Sequence, residues 1–358
     1  MSSRLTAPSS EAALEERLAT PDDATIAALE ALDGDVLVLG AGGKMGPTLA
    51  RMAHRALTQA AGDASRHPSG RAKRRVIAVS RFSDAHAAAA LEADGIATIR
   101  ADLSDPRAVA ALPDAANIIW MAGQKFGTTG DPVGTWTHNV VASVHAAERF
   151  AGARIVCFST GNVYGPSPVA AGGSRETDAL RPDGEYAASC VGRERVFESV
   201  ARRTQSPLLL YRLFYACDLR YGVVTDIALA VLQGKPVSLT TGWANVIWQA
   251  DANRLALRAL TVATIPDGTA QVALNVTGAV VAVREIAERI GRIAGVTPVF
   301  AGDAHEMALV ANTDRLAAQL PYTAMPLDTL CEWAVTWIRQ NGRLLNKPTK
   351  FEVRDGRF

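Results

Sequence analysis

The chain has 358 residues, of which 48% are hydrophobic and 20% charged, and its formal net charge is +1. This length and composition predict a globular protein with one large domain or two interleaved domains. The near-neutral charge argues against nucleic acid as the main partner, because binding to polyanions depends on a clear surplus of basic residues.

Neither a membrane span nor a signal peptide is expected. No stretch of 18 consecutive apolar residues is present, and residues 1–20 are polar and charged. The expected location is therefore the cytoplasm. The four cysteines, at positions 157, 190, 217 and 331, are scattered and form no C-x-x-C pair. We expect reduced thiols and no metal site.

The first 33 residues mix Ser, Pro, Asp and Glu with an Ala/Leu-rich stretch from Thr25 to Leu32. We interpret residues 1–33 as a loosely held N-terminal extension that ends in a short helix and carries no chemistry.

A glycine-rich segment follows the first predicted strand. Residues 36–39 form a short aliphatic run of the length typical of a central parallel strand, and Gly40, Gly43 and Gly46 follow it in a G-x-x-G-x-x-G pattern. A helix is predicted to begin near Pro47. Glycines let the backbone approach a pyrophosphate, and a helix N-terminus directs unpaired N–H groups at it. The pattern predicts a dinucleotide site formed by Gly40, Gly43, Lys44, Met45 and Gly46.

The residues after the second predicted strand, 76–79, bear on the choice of cofactor. An acidic residue at this strand end suits the ribose hydroxyls of NAD, whereas an arginine suits the 2′-phosphate of NADP. Here Ser80 and Arg81 follow the strand. We expect NADP or NAD, with NADP favoured; the alternative is an exposed Arg81 beside a site that tolerates NAD.

Strands and helices alternate through the next hundred residues. Predicted strands at 97–100, 116–121 and 154–158 are accompanied by helices at about 84–94, 133–151 and 186–203. This alternation predicts an α/β protein with a doubly wound parallel sheet, a Rossmann fold. We assign to this domain residues 34–214 and a late strand near 272–277. Residues 215–345 are assigned mainly to a smaller substrate-side domain, and residues 346–358 to a tail.

Several of these motifs, in this order, resemble the extended short-chain dehydrogenase/reductase family, the NAD(P)-dependent epimerase/dehydratase group. The resemblance covers roughly residues 35–342. The residues on which the resemblance rests are Gly40, Gly43 and Gly46, Asp102-Leu103, Ala122-Gly123, Asn139, Ser-Thr-Gly-Asn-Val-Tyr-Gly at 159–165, and Tyr186 with Ser189.

The resemblance implies roles for these positions. Thr160 would hydrogen-bond the reacting oxygen, and Tyr186 would donate a proton to it or accept one from it while hydride moves to or from nicotinamide. Asp102 would contact the adenine, and Asn139 would shape the active-site helix. Leu103, Ala122 and Gly123 complete the expected cofactor site. The resemblance also implies a homodimer formed through helices 133–151 and 186–203.

One family position departs from the pattern, because the lysine of the Y-x-x-x-K motif is replaced by Cys190. That lysine binds the nicotinamide ribose and lowers the pKa of the tyrosine, which a neutral thiol cannot do. Two candidate replacement cations are Arg193, on the same helical face as Tyr186, and Lys125, just after Ala122-Gly123.

Two further departures bear on the reaction and the substrate. Gly161 and Asn162 stand where the dehydratases of this family have an Asp-Glu pair, so dehydration by that route is disfavoured. Tyr215 and Ala244 stand where nucleotide-sugar members have an Asn and an Arg that hold the diphosphate. We therefore expect a sugar, sugar acid or similar small polyol, in a pocket lined by Tyr215, Arg220 and Trp248.

Two functions remain open at this point. One is an NAD(P)-dependent oxidoreductase or epimerase acting on a small-molecule substrate. The other is a catalytically degenerate protein that binds a dinucleotide as a sensor or scaffold. Both require the glycine loop, so the loop does not separate them.

Overall fold

The central element of the protein is a seven-stranded parallel sheet. The structure is a computed structural model that describes residues 6–62, 74–268, 271–346, 349 and 351. The strands of the sheet are β1 (Val36–Leu39), β2 (Val76–Ser80), β3 (Ala97–Arg100), β4 (Asn117–Trp120), β5 (Arg154–Thr160), β6 (Leu208–Leu213) and β7 (Ala273–Val276). Their order is β7-β6-β5-β4-β1-β2-β3. The predicted doubly wound α/β sheet is confirmed, and the late strand joins it at the β6 edge.

The strand order reverses beside β1, which pairs with β2 on one side and with β4 on the other. In open α/β sheets ligands bind at such a reversal, beyond the carboxyl ends of the strands. The segments that begin at Gly40 and at Met121 follow these strand ends, and the Met121 N–H donates to the Leu39 carbonyl at 2.7 Å. The sheet therefore brings the glycine loop and the loop after β4 together.

Successive residues of each central strand pack into different cores. Val36 and Val38 belong to the apolar cluster on one face of the sheet, whereas Leu37 and Leu39 belong to the cluster on the other. Side chains alternate across a strand, so a strand covered on both faces must be apolar at every position. This is why β1 reads as an unbroken aliphatic run in the sequence.

Helices cover both faces and the carboxyl edge of the sheet. They are α1 (Glu11–Leu18), α2 (Asp23–Glu30), α3 (Gly46–Gly62), α4 (Ala85–Ala93), α5 (Pro106–Ala110), α6 (Pro132–Trp136), α7 (Ala142–Arg149), α8 (Gly184–Thr204), α9 (Val223–Leu232), α10 (Gln249–Ala259), α11 (Val283–Ala294), α12 (Asp314–Gln319) and α13 (Leu327–Arg339). Short 3-10 turns occur at Gly161–Val163 and Val169–Ala171. In the part of the chain that the structure describes, no helix is both long and apolar enough to cross a membrane.

Two-stranded pairs connect segments outside the central sheet. Trp243–Asn245 pairs with Val280–Ala282, and Ile247–Trp248 pairs with Ala216–Cys217. Phe300–Ala301 pairs with Val237–Ser238, and Met307–Ala308 pairs with Ser167–Pro168. With α9, α11 and α13, which pack on one another, the first three pairs form the C-terminal part of the protein. The fourth pair connects this part to the segment after β5.

The N-terminal segment differs from our expectation of a loosely held extension. It forms two capped helices, with Ser10 accepting from the Ala13 N–H and Asp22 accepting from the Thr25 N–H. Leu14, Leu18 and Leu29 are fully buried in the main core. The expectation of loose attachment was wrong, because these leucines fall on the inner faces of short helices with otherwise polar sequences. Residues 1–5 and most of the predicted tail, 347, 348, 350 and 352–358, lie outside the described residues.

The predicted helix over 133–151 is interrupted. Helices α6 and α7 are joined by a wider π-helical turn at Thr137–Val141, which contains Asn139. The Ser143 hydroxyl donates to the Asn139 carbonyl at 2.8 Å within this region. The wider turn is a local change of hydrogen-bond register of the kind found mainly at functional sites, and the apolar periodicity of the sequence did not reveal it.

Candidate active site

The glycine loop packs against neighbouring backbone too closely for side chains. Gly40 has a φ of +93°, and a Cβ added there would lie 2.5 Å from the backbone N of Ala122. A Cβ at Gly46 would overlap the carbonyl of Ala41, and one at Gly42 would lie 2.6 Å from the Ser80 hydroxyl oxygen. The loop is thus a cradle of bare backbone at the start of α3, which suits a pyrophosphate. Gly42, which the spacing did not single out, is part of this cradle.

Two cavities open beside this loop and share several of its residues. The smaller, of about 540 Å³, contains the residues predicted for the adenosine end of a dinucleotide. The larger, of about 1130 Å³, contains the residues predicted for the reacting end. Gly40, Gly43 and Gly123 line both cavities. Together they give a continuous path along the carboxyl edge of the sheet.

The smaller cavity contains Ser80, Arg81, Asp102, Leu103 and Ala122. The Asp102 carboxylate accepts hydrogen bonds from the Ser104 hydroxyl at 2.7 Å and the Ser104 N–H at 2.9 Å. These bonds, with a smaller contribution from the Arg81 charge, hold the pKa of Asp102 below its usual range. Asp102 is therefore an ionised acceptor facing the cavity, with the exposed Arg81 side chain nearby.

Asn139 fixes the loop after β4. Its Oδ1 accepts from the Gln124 N–H at 2.7 Å, and its Nδ2 donates to the Gln124 carbonyl at 3.0 Å and to the Ser189 hydroxyl at 2.9 Å. A Cβ at Gly123 would lie 2.8 Å from this Oδ1 and 2.9 Å from Nη1 of Arg193. Only glycine at 123 leaves space for both side chains.

Four side chains that were predicted to be catalytic form one chain of contacts. Thr160 ends β5, and its hydroxyl oxygen accepts from the Asn162 side-chain amide at 2.9 Å. The Tyr186 hydroxyl, from the first turn of α8, is hydrogen-bonded to both the Thr160 hydroxyl and the Cys190 thiol. Nη2 of Arg193 donates to the Cys190 sulfur at 2.7 Å. The spacing of 186, 190 and 193 along α8 puts these three side chains on one helical face.

Burial raises the pKa of Tyr186 well above its usual value. The Arg193 charge and the hydrogen bond from Thr160 lower it, but they do not overcome the burial. Burial likewise raises the pKa of Cys190. Both groups are therefore neutral near pH 7, and Arg193 carries the positive charge in this chain of contacts.

Lys125 and Arg193 approach Tyr186 from different elements, the loop after β4 and helix α8. Its ammonium nitrogen is 6.0 Å from the centroid of the Tyr186 ring, across the larger cavity. The guanidinium of Arg193 is buried, and its Nη1 donates to the Ala122 carbonyl at 3.0 Å. Arg193 thus links helix α8 to the loop after β4.

The NAD dependent epimerase/dehydratase family model matches residues 36–260. The chain belongs to this family. The family resemblance predicted from the sequence is confirmed, and this family member contains the expected dinucleotide cradle. The family consists of NAD-dependent enzymes, so the protein is an enzyme that uses NAD or a close relative of it.

Solved structures share the fold of this family member at low sequence identity. MoeE5, solved with UDP-glucuronic acid and NAD, is 23% identical, with a TM-score of 0.62 over 86% of this chain and 100% of its own. UDP-glucose 4-epimerase of Thermotoga maritima is 16% identical, with a TM-score of 0.64 over 86% and 99%. Pal from Bacillus thuringiensis is 16% identical, with a TM-score of 0.67 over 86% and 99%. A comparison with curated proteins finds no match.

In this family member, Lys44 extends from the glycine loop to the far wall of the larger cavity. Its ammonium nitrogen lies 3.5 Å from the centroid of the Tyr221 ring. The crowded wall partly removes water from the ammonium and lowers the pKa of Lys44 to about 8, although the nearby Asp218 carboxylate opposes this change. Because this pKa still lies above neutral pH, the Lys44 side chain remains largely protonated at pH 7. Met45 and Gly46 line the same cavity.

Of the three predicted substrate residues, Tyr215 and Arg220 line the larger cavity. The Arg220 guanidinium is already occupied, because it pairs with Asp218 at 2.8 Å, Glu15 at 2.6 Å and Glu11 at 3.1 Å. Trp248 is outside both cavities and packs edge-on against Trp333 in the core, with ring centroids 5.8 Å apart. We correct the assignment of Trp248 to the pocket: an aromatic at the start of α10 fills the core.

Other residues of the larger cavity were missed at the sequence level. Glu11, Ala12 and Glu15 reach it from α1, and Arg343, Leu345 and Thr349 reach it from the C-terminal end. They carry no motif, and they are more than 100 residues from the catalytic positions. Among the described residues, the four cysteines are buried free thiols, and no group of His, Cys, Asp and Glu could hold a metal ion.

Proposed function

We propose that the protein is an NAD(P)-dependent oxidoreductase or epimerase that acts on a hydroxyl or carbonyl group of a sugar, sugar acid or similar small polyol. The observation that supports this most is the contact chain from Thr160 through Tyr186 and Cys190 to Arg193, which faces the cavity that the glycine cradle also lines. The cradle fits a dinucleotide, since it presents backbone where any side chain would clash.

The bound dinucleotide would supply the exchange of hydride with the reacting carbon. Thr160 would hold the substrate oxygen, and Tyr186, a neutral phenol at pH 7, would donate its proton to that oxygen during reduction. In oxidation the same phenol must first lose its proton, which its raised pKa opposes.

Arg193 is our choice for the cation that replaces the family lysine. Its charge lowers the pKa of Tyr186, and its Nη2 contacts the sulfur that itself contacts the phenol. The ammonium nitrogen of Lys125 lies 6.0 Å from the ring centroid and faces the phenol across the cavity. We assign Lys125 a role in holding cofactor or substrate rather than in polarising the tyrosine.

Epimerisation or oxidoreduction is favoured over water elimination. Gly161 is packed against the Phe214 ring so closely that an added Cβ would overlap it. The Asn162 side chain holds Thr160 in place of serving as a base. The positions that would need carboxylates for elimination are therefore already used in other ways.

The substrate class follows from the wall of the larger cavity. Tyr215 presents a phenol there, and Ala244 is fully buried without a charge, so two contacts that would hold a diphosphate are missing. The similar structures were solved with UDP-sugars, which makes nucleotide sugars the competing class.

A substrate panel tests the proposed function. Purified protein is mixed with NAD or NADP and with free sugars, sugar acids, UDP-glucose and UDP-glucuronic acid; absorbance at 340 nm reports oxidoreduction and proton NMR reports epimerisation. Turnover of free compounds is expected. Turnover of UDP-sugars alone would overturn the substrate class, and binding of cofactor without any turnover would favour a sensor or scaffold.

We also propose that NADP is preferred, with Arg81 holding the 2′-phosphate. Replacing Arg81 with Ala is expected to weaken NADPH binding about 10–100-fold and to leave NADH binding nearly unchanged, because charge-assisted contacts with a phosphate are strong. Isothermal titration with both cofactors measures the ratio. Arg107→Ala, on the neighbouring α5, is the control, and an unchanged ratio in Arg81→Ala would contradict this role.

A homodimer is proposed through the face of α6, the π turn and α7. This face exposes the apolar side chains of Val133, Trp136, Val141 and Val144, which a monomer would leave in water. Val141→Glu is expected to give monomers in multi-angle light scattering, since it places a charge in the apolar contact. Val299→Glu, at an exposed valine elsewhere, should leave the mass unchanged. A wild-type monomer would contradict the proposal.

A further inference from the structure

The outer wall of the larger cavity comes from a segment outside the family match. The matched residues begin at 36, whereas Glu11, Ala12 and Glu15 on α1 line the cavity together with the glycine loop. Helix α1 therefore reaches a site whose glycine loop and catalytic residues lie within the family match.

The carboxylates of α1 bridge the two sides of the cavity. Glu15 contacts Arg51, on the helix that the glycine loop begins, at 3.0 Å, and it contacts Arg220 on the opposite wall at 2.6 Å. Glu11 contacts the same Arg220 nitrogen at 3.1 Å and Arg343, from the C-terminal end, at 3.0 Å. Since residues 11 and 15 are one turn apart, both carboxylates point to the same side of α1.

The other side of α1 is anchored in the core. Leu14 and Leu18 are fully buried, and the Ser10 side chain caps the helix. A helix that is fixed on one face by apolar packing and on the other by ion pairs across a cavity does not move aside without breaking both sets of contacts.

From this arrangement we propose that α1 is a roof over the pyrophosphate part of the cofactor site, and that Glu11 and Glu15 close it by their ion pairs. The inference rests on the proposed function, because it requires that the cavity bind a dinucleotide. A dinucleotide leaving the cradle must open these bridges, so the roof retains it between turnovers. Retention suits a reaction that returns the cofactor to its starting oxidation state, which favours epimerisation.

The direction of the change in the rate of cofactor release distinguishes a roof from a purely electrostatic effect of the two carboxylates. Two carboxylates near a bound pyrophosphate repel it, so by charge alone Glu11→Gln with Glu15→Gln would slow cofactor release. If the carboxylates close a roof, the same double variant releases the cofactor faster. Stopped-flow fluorescence measures release when an excess of NAD or NADP displaces bound NADH or NADPH. We expect release to be about tenfold faster or more in the double variant.

Glu16→Gln is the matched control. Glu16 lies on the same helix and pairs with Arg55 of α3 at 2.6 Å, but it does not line the cavity. Release from this variant should stay within about twofold of wild type, since it loses an exposed ion pair of the same kind. Release from the double variant that is equal to wild type, or slower, would overturn the roof.

Amide hydrogen exchange gives a second measurement on the unaltered protein. Addition of NADH or NADPH is expected to slow exchange in α1, while α11, none of whose residues line either cavity, exchanges as before. Unchanged exchange in α1 would also overturn the roof. If wild-type protein bound neither cofactor, the proposed function itself would fail, whereas binding with rapid release and unaffected variants would remove the roof alone.

Discussion

Tyr186→Phe is expected to lower kcat about 10²–10⁴-fold, because it removes the group that moves the proton while leaving the ring in place. Cofactor affinity should change little, since the phenyl ring keeps the shape of the cavity wall. Wild-type kcat/KM for oxidation is expected to rise with pH over the whole range from pH 6 to 10 without a plateau, since burial raises the pKa of the phenol well above its usual value. This rise should disappear in the variant.

Steady-state kinetics from pH 6 to 10, with cofactor Kd measured separately, test this prediction. Tyr221→Phe is the control, because Tyr221 lines the same cavity against Lys44 and is outside the contact chain. Turnover that survives Tyr186→Phe would remove the proton-transfer role. A wild-type plateau already at neutral pH would mean that the bound state lowers the pKa of Tyr186 much more than Arg193 does.

Arg193→Met is expected to lower kcat/KM at pH 7 about tenfold or more, because a nearby positive charge favours ionisation of a phenol by about 1–3 pKa units. Methionine keeps an unbranched side chain but carries no charge. Arg193→Lys should retain most of the activity, since the ammonium replaces the charge although it cannot reproduce the bond from Nη2 to the Cys190 sulfur.

The comparison of these two variants separates charge from packing. If Arg193 only held α8 against the loop after β4, both substitutions would remove the planar guanidinium group that binds the Ala122 carbonyl, and both would lower the rate equally. Arg195→Met, at an exposed arginine of the same helix paired with Glu198, controls for a general loss of charge. Full activity in Arg193→Met would leave Lys125 as the remaining candidate.

The parts of the site that sequence reasoning found are those fixed by local spacing. Tyr186, Cys190 and Arg193 lie within two turns of one helix, so helical geometry alone put them on one face. Gly40 and Gly46 were recognisable because a short apolar strand directly precedes them. The family order of motifs then related these segments to Asp102 and Asn139.

The parts that it missed depend on contacts between distant segments. Arg220 reads as a free cation beside a pocket, yet its partners include Glu15, which lies 205 residues away in sequence. Trp248 was equally ambiguous, since an aromatic residue fills a core as readily as it lines a site. The segment before the first strand contained apolar residues at helical spacing, but its polar composition concealed that Leu14 and Leu18 are buried.

The close packing of Gly161 against Phe214 also limits the order in which substitutions near the site could be accepted during evolution. A single substitution at 161 that introduced a carboxylate would displace the aromatic ring before any new chemistry could benefit. A smaller residue at 214 must therefore come first, followed by acidic residues at 161 and 162. Because Asn162 now holds the Thr160 hydroxyl, the change at 162 would also loosen the proposed reaction centre. The proposed activity is thus separated from the elimination chemistry of dehydratases by an ordered series of changes.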